Sequence, residues 1–260
     1  MTAPSIGFIG GGRVATILLG GWARAGQLPA QVVVSDADAD VLKRLHARYP
    51  EIACASAGDP APAQQDVVFL ALHPPAFGDA VPAVRGALRA GALVVSLAPK
   101  ITIARASEML GGFRRIARVI PNAPSIVNAG FNPVSFAADL RPVEREPLLA
   151  LLRPLGECPV VDEPQLETYA ILSGMGPTYL WPQLVALEAL GVQFGLSPAQ
   201  ARDALRAMVI GSAQTLCRSG LDAAAVQDLI PVKPLADAMP GLLEAYRTKL
   251  TGLMEKIRPQ

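Results

Sequence analysis

Residues Ser5 to Gly21 read SIGFIGGGRVATILLGG, and this stretch decides the fold. A short apolar run enters Gly10, Gly11 and Gly12, after which Val14, Ala15, Ile17, Leu18 and Leu19 recur at helical spacing. The pattern predicts a strand, a tight glycine turn and a helix. Gly10, Gly12 and Ala15 form a GxGxxA fingerprint: the glycines let the backbone turn sharply and approach a pyrophosphate, and small Ala15 lets the helix lie close on the strand. The helix N-terminus then faces the phosphates, where free N–H groups and the helix dipole favour negative charge. Glycines also follow strands for steric reasons alone, so a second signal is needed.

That signal is the next β-branched run, QVVVS from Gln31 to Ser35, which ends at Asp36. An acidic residue roughly 20 positions beyond the glycines takes the adenosine ribose hydroxyls in a dinucleotide-binding unit. A carboxylate there accepts hydrogen bonds from a 2′-hydroxyl and repels a 2′-phosphate, which favours NAD over NADP. Arg13 in the glycine turn, with Lys43 and Arg44 farther on, leaves a phosphate partner open. The competing reading of Asp36 is a turn or N-cap residue before a helix beginning near Asp38.

Downstream, the pattern predicts a helix over Asp38–Tyr49, a strand over Asp66–Leu72 (DVVFLAL), a helix over Phe77–Leu88 and a strand over Leu93–Leu97. Strands buried on both faces read as continuous apolar runs, so DVVFLAL and LVVSL point to a parallel sheet built of βαβ units. Further strands are expected over Arg115–Ile120 and Phe131–Phe136, with a helix over Val143–Leu155. From about Pro164 strands vanish, and helical patterns run from Pro177 to Phe194 and, after a Ser197 N-cap with Pro198 behind it, to Arg218. The expected fold is therefore an N-terminal α/β Rossmann domain with a doubly wound sheet (1–160), followed by an all-helical domain (161–260). Small residues such as Ala189, Gly191, Ala204 and Gly211 permit close helix approach, against another subunit or within the chain.

Composition excludes several classes. The 260 residues carry a net charge of +1, with no basic stripe for nucleic acid, and 51% of them are hydrophobic, against extensive disorder. Apolar stretches are broken by Arg, Glu or Gln well short of a membrane span. The N-terminus has no charged start or cleavage site of a signal peptide. Cys54, Cys158 and Cys217 are isolated, which argues against disulfides or a CxxC metal site and for a reduced, cytoplasmic setting with all three as packing residues. HExxH, GxSxG and Walker patterns are absent, and the two histidines, His46 and His73, are far apart.

Four segments, SIGFIGGGRVA, DVVFLALHPPAF, RVIPNAP and ILSGMGPTYL, resemble the pyrroline-5-carboxylate reductase family in order and spacing. The specific parts are RVIPNAPSIVNAG (Arg118 to Gly130) and LSGMGPTY (Leu172 to Tyr179). The resemblance implies a Rossmann domain followed by a helical dimerisation domain, a homodimer, and hydride transfer from NAD(P)H to the C=N bond of a small cyclic imine. Carried onto this sequence, it puts Gly10, Gly12, Arg13 and Val14 at the pyrophosphate and Asp36 at the ribose. Leu72, His73 and Pro74 would lie along the cofactor riboses, with Ser96, Ala98, Pro121 and Asn122 around the nicotinamide. Candidate proton donors are Ser173, Thr178, Tyr179 and His73. Glu163 matches an acidic position of the family and is expected at a helix start or domain junction.

The departures from the family bear on the substrate. Leu72-His73-Pro74 stands where the family carries Val-Lys-Pro, and Ser173-Gly174-Met175-Gly176-Pro177 where it carries Ser-Gly-Ser-Gly-Pro. A Ser-Pro-Gly-Gly-Thr-Thr loop that cradles the substrate carboxylate is replaced by DLIPVKPLADAMP, a segment too proline-rich for helix, in which Lys233 offers one positive charge to an acidic substrate or is a solvated loop residue. Two functions remain: an imine reductase, or a dinucleotide-binding regulatory or assembly module without turnover.

Overall fold

The computed structural model describes residues 4–72 and 74–259. It opens with β1 (Ile6–Ile9), α1 (Arg13–Arg24), β2 (Val32–Asp36), α2 (Ala39–Arg48) and β3 (Ala53–Ser56). The second half of the sheet follows, with β4 (Val67–Leu70), α3 (Pro74–Ala87), β5 (Leu93–Ser96), α4 (Ile103–Met109) and β6 (Ile116–Val119). Next come β7 (Gly130–Phe131), β8 (Val134–Phe136), α5 (Pro142–Leu152) and β9 (Gly156–Glu157). The helical remainder comprises α6 (Leu166–Tyr169), α7 (Pro177–Gln193), α8 (Pro198–Arg218), α9 (Ala223–Asp228) and α10 (Met239–Ile257).

Seven strands form one sheet in the order β3-β2-β1-β4-β5-β6-β8, parallel except where β8 runs antiparallel to β6. Strand order reverses between β1 and β4, the switch point at which doubly wound sheets bind ligands. The apolar runs are continuous because alternate residues face two cores. Phe8, Phe69 and Val95 pack with Leu18, Leu19 and Trp22 of α1 and Leu148 and Leu152 of α5 on one side. Val68, Leu70 and Val94 pack with Phe77, Val81 and Val84 of α3 and Ala106 of α4 on the other. Trp22 donates its indole N–H to the Leu151 carbonyl at 2.6 Å, so the largest buried side chain is also satisfied.

Several boundaries differ from the sequence expectation. The expected strand over Phe131–Phe136 is two short strands in different sheets, broken at Asn132 and Pro133. The helix expected to end at Leu155 finishes at Leu152 and tightens to a 3₁₀ turn over Arg153–Leu155, where Pro154 removes a helical donor. One compact unit takes the chain up to Met175 together with the segment from Met254, and a second takes Gly176–Leu253. The first unit runs past residue 160 because Leu166 and Glu167 are buried within it. Only Cys158 packs against a core; Cys54 and Cys217 are exposed, correcting the expectation that all three cysteines pack.

In the second unit Ala201 is the one buried residue among those described, set against Gly191 where α7 and α8 meet. Val185, Phe194, Ile230 and Val232 are more than two-thirds exposed. Such helices leave their apolar faces unburied within their own unit. No helix among the described residues is long and apolar enough to cross a membrane.

Candidate active site

The turn between β1 and α1 builds the floor of the site. Gly10 has φ +103°, and a Cβ there would sit 2.5 Å from the Ala71 carbonyl oxygen, so only glycine fits. Gly12 is the N-cap of α1, where no side chain caps the helix and no acidic residue stands in the first turn. A Cβ at Gly12 would meet nothing within 4 Å, because that side opens into a cleft. The first N–H groups of α1 thus lack intrahelical acceptors, beside the positive Arg13, and face open space. Such an end suits a diphosphate.

Asp36 ends β2 beside this turn. Its carboxylate accepts the Gly11 N–H at 2.7 Å and the Asp38 N–H at 2.9 Å. The N-cap of α2 is Asp38, whose side chain accepts from Asp40 and Val41, so Asp36 is free of that duty. Gly10, Gly12, Arg13, Val14, Asp36 and Leu72 all line one cleft of 930 Å³ at the carboxyl ends of β1, β2, β4 and β5. Two of its walls carry no signal in the sequence: Ala57-Gly58-Asp59 after β3, and Asp79, Ala80 and Ala83 on α3. Exposed β3 gives no apolar run, so the loop behind it had no signal.

Ser96 and Ala98 are buried at the carboxyl end of β5, and the Ser96 Oγ has no hydrogen-bond partner. Asn122 follows β6 and is engaged: its Nδ2 donates to the Ser173 carbonyl at 3.2 Å, and its Oδ1 accepts the Phe131 N–H at 3.0 Å. Pro121 next to it is half-buried. Ser173 lies in a π-helical turn, Ala170–Gly174, and donates its hydroxyl to the Tyr169 carbonyl at 2.9 Å. His73 lies outside the described residues, and Pro74 is the first residue of α3.

The remaining candidates belong to the second unit. Thr178 and Tyr179 are in the first turn of α7, with the Tyr179 ring 5.9 Å from that of Tyr246. Burial pushes the Tyr179 phenol up, so it holds its proton at neutral pH. Lys233 is exposed in a non-helical segment, as its proline neighbours require. Glu163 serves a helix start other than its own: its Oε1 accepts the N–H of Ile103, first residue of α4, at 2.6 Å. No cluster of metal-ligating side chains occurs among the described residues.

A parallel sheet in this order, with an uncapped glycine turn, a carboxylate at the end of the second strand and a cleft at the switch point, defines a Rossmann-type, dinucleotide-dependent oxidoreductase. Comparison with known proteins narrows the class. Residues 5–100 match the family described as NADP oxidoreductase coenzyme F420-dependent, and residues 163–233 match pyrroline-5-carboxylate reductase dimerisation. Pyrroline-5-carboxylate reductase of Escherichia coli is 32% identical over 226 residues, 86% of this chain and 84% of that protein. Its counterpart in Pseudomonas aeruginosa is 30% identical over 225 residues, 86% and 82% of the two chains. The fold matches the NADP-bound pyrroline carboxylate reductase of Plasmodium falciparum with a TM-score of 0.76, covering 99% of this chain and 95% of that one at 20% identity. The chain belongs to the pyrroline-5-carboxylate reductase family, whose members are NAD(P)H-dependent reductases. Relatives named for a reaction do not favour the binding-module reading.

Proposed function

We propose that this chain reduces the C=N bond of a small cyclic imine bearing an acidic group, with NADH preferred over NADPH. The observation that carries the reading is the uncapped N-terminus of α1 opening into the cleft beside Asp36. The N–H groups of Arg13 and Val14, with the Arg13 guanidinium, would hold the diphosphate, and Asp36 the adenosine ribose. Among the described residues lining the cleft, Arg13 is the only cation, while Asp36, Asp59 and Asp79 are acidic. Their combined charge disfavours an added 2′-phosphate.

Leu72, with His73 and Pro74 beyond it, would flank the riboses, and Ser96, Ala98, Pro121 and Asn122 the nicotinamide end. Bound there, the cofactor supplies a hydride; the protein's task is to hold the imine at attack distance and a proton near its nitrogen. Ser173 is a candidate for that proton, and donating it means releasing the Tyr169 carbonyl by rotation about χ1. Thr178, Tyr179 and His73 are the other candidates. Lys233 is the proposed partner of the substrate's acidic group, in place of the carboxylate loop that the family carries and this sequence lacks. The Rossmann domain is assigned to 1–160, the helical domain to 161–260, and the assembly to a homodimer through the helical faces. The setting is taken as cytoplasmic.

The test is NADH oxidation with a panel of cyclic imino acids, pyrroline-5-carboxylate included. Turnover faster with NADH than with NADPH supports the reading; tight coenzyme binding with no turnover on any imine would sink it.

A further inference from the structure

Three alternate residues on and just beyond β6 hold one turn of the chain. Arg118 is 1% exposed, and its guanidinium reaches Glu163 at 2.9 Å and Glu167 at 2.6 Å. Ile120 lies so close to Gly174 that a Cβ on that glycine would stand 3.3 Å from the Ile120 Cγ2. Asn122 donates to the Ser173 carbonyl at 3.2 Å. Residues two apart along extended chain face the same side, which is why 118, 120 and 122 all meet the segment from 163 to 174.

The turn they grip, Ala170–Gly174, is the only π-helical turn among the described residues, with the Met175 N–H bonded to the Ala170 carbonyl at 2.8 Å. A π turn is rare and has little stability of its own, so its neighbours must hold it. Burying one guanidinium with two carboxylates contributes little that an apolar cluster could not, which directs attention to what the cluster fixes in place. Glu167 stands three residues before the turn, on α6, and Glu163 ties the same cluster to the first N–H of α4.

We propose that Arg118 and Glu167 are positioning residues for the reduction. They pin α6 to β6 and thereby fix the place of Ser173 and of the peptide at Gly174 and Met175, at the carboxyl edge of the sheet. Both are buried, and neither lines the cleft beside Asp36. The proposal rests on the reading that the Ser173 turn faces the reacting imine.

Glu167→Gln keeps the side chain's shape and removes its charge, and Arg118→Met and Arg118→Lys test the other partner. Amide hydrogen exchange across residues 170–175 is expected to quicken about tenfold in Glu167→Gln, with residues 10–14 unchanged. For the imine that the wild type turns over, kcat is expected to fall about tenfold while the NADH Kd stays within about twofold. Arg118→Lys, which retains one ion pair, should recover part of what Arg118→Met loses. Unchanged exchange over 170–175, exchange raised throughout the chain, or local loosening with unaltered kcat would each overturn the proposal. A wild type inactive on every imine defeats the reaction assigned above, and the local exchange pattern still decides the clamp.

Discussion

Both oxygens of Asp36 accept backbone N–H groups, so the carboxylate that would recognise the ribose is already held in place by the loops it joins. Asp36→Asn retains one acceptor and removes the charge. Steady-state kinetics with both coenzymes should show the preference for NADH over NADPH reduced roughly tenfold or more, since a hydrogen bond to a charged group contributes about 1.5–3 kcal/mol. An unchanged ratio would remove Asp36 from coenzyme selection. Arg118 makes a different prediction. Deleting its guanidinium in Arg118→Met leaves the buried Glu167 carboxylate without its ion-pair partner, and urea unfolding should report a loss of about 3–5 kcal/mol. The glycine turn and the place of Asp36 beside it were legible in the sequence because both depend on neighbours along one βαβ unit. Arg118 and Glu167 were not, because their pairing joins residues 49 positions apart and nothing local marks an arginine inside an apolar strand as buried.

Elements follow the same division. Strands β1, β2, β4, β5 and β6 were readable because burial on both faces makes the run continuous, whereas β3 escaped notice at an exposed sheet edge. The helices α9 and α10 give little signal, since α9 is six residues long with none buried and Ile257 is the one buried residue described on α10. The start of α5 is fixed by Glu144, whose carboxyl is pulled down to about 2 by the Arg141 side chain, then by the Arg141 N–H and Arg115. Its folded value lies below the usual 4.5, so its stabilisation is present above pH 4.5 and is lost as pH falls through about 2. The stability gap between wild type and Glu144→Gln, followed by thermal melts, should therefore close over that window; a gap independent of pH would contradict the assignment. Where α1 crosses the 3₁₀ turn Ala123–Val127, a Cβ on Gly21 would stand 2.3 Å from the Ser125 carbonyl oxygen. Gly21→Ala should cost about 1–3 kcal/mol in urea unfolding, as overpacking does where backbone cannot yield.

On the scale of the whole molecule, the second unit exposes side chains that a free monomer would leave wet. Sedimentation equilibrium should return twice the chain mass of 27.2 kDa, and a charge placed on the α7 face by Val185→Glu should shift the assembly towards monomer. A single 27.2 kDa species in the wild type would refute the dimer. The order of an α/β part followed by a helical part was legible from the change of texture near Pro164, whereas the tie of Glu167 to β6 was not, because an ion pair between distant positions leaves no local mark. The whole account depends on a reduced dinucleotide seated over the N-terminus of α1, and the most direct measurement is calorimetric titration of NADH into the wild type and Gly12→Ala. A methyl at that position meets no protein atom, so the melting temperature should stay put while NADH affinity falls at least about tenfold through loss of close backbone approach. Failure of the wild type to bind NADH or NADPH, or equal affinity in the two proteins, would contradict it.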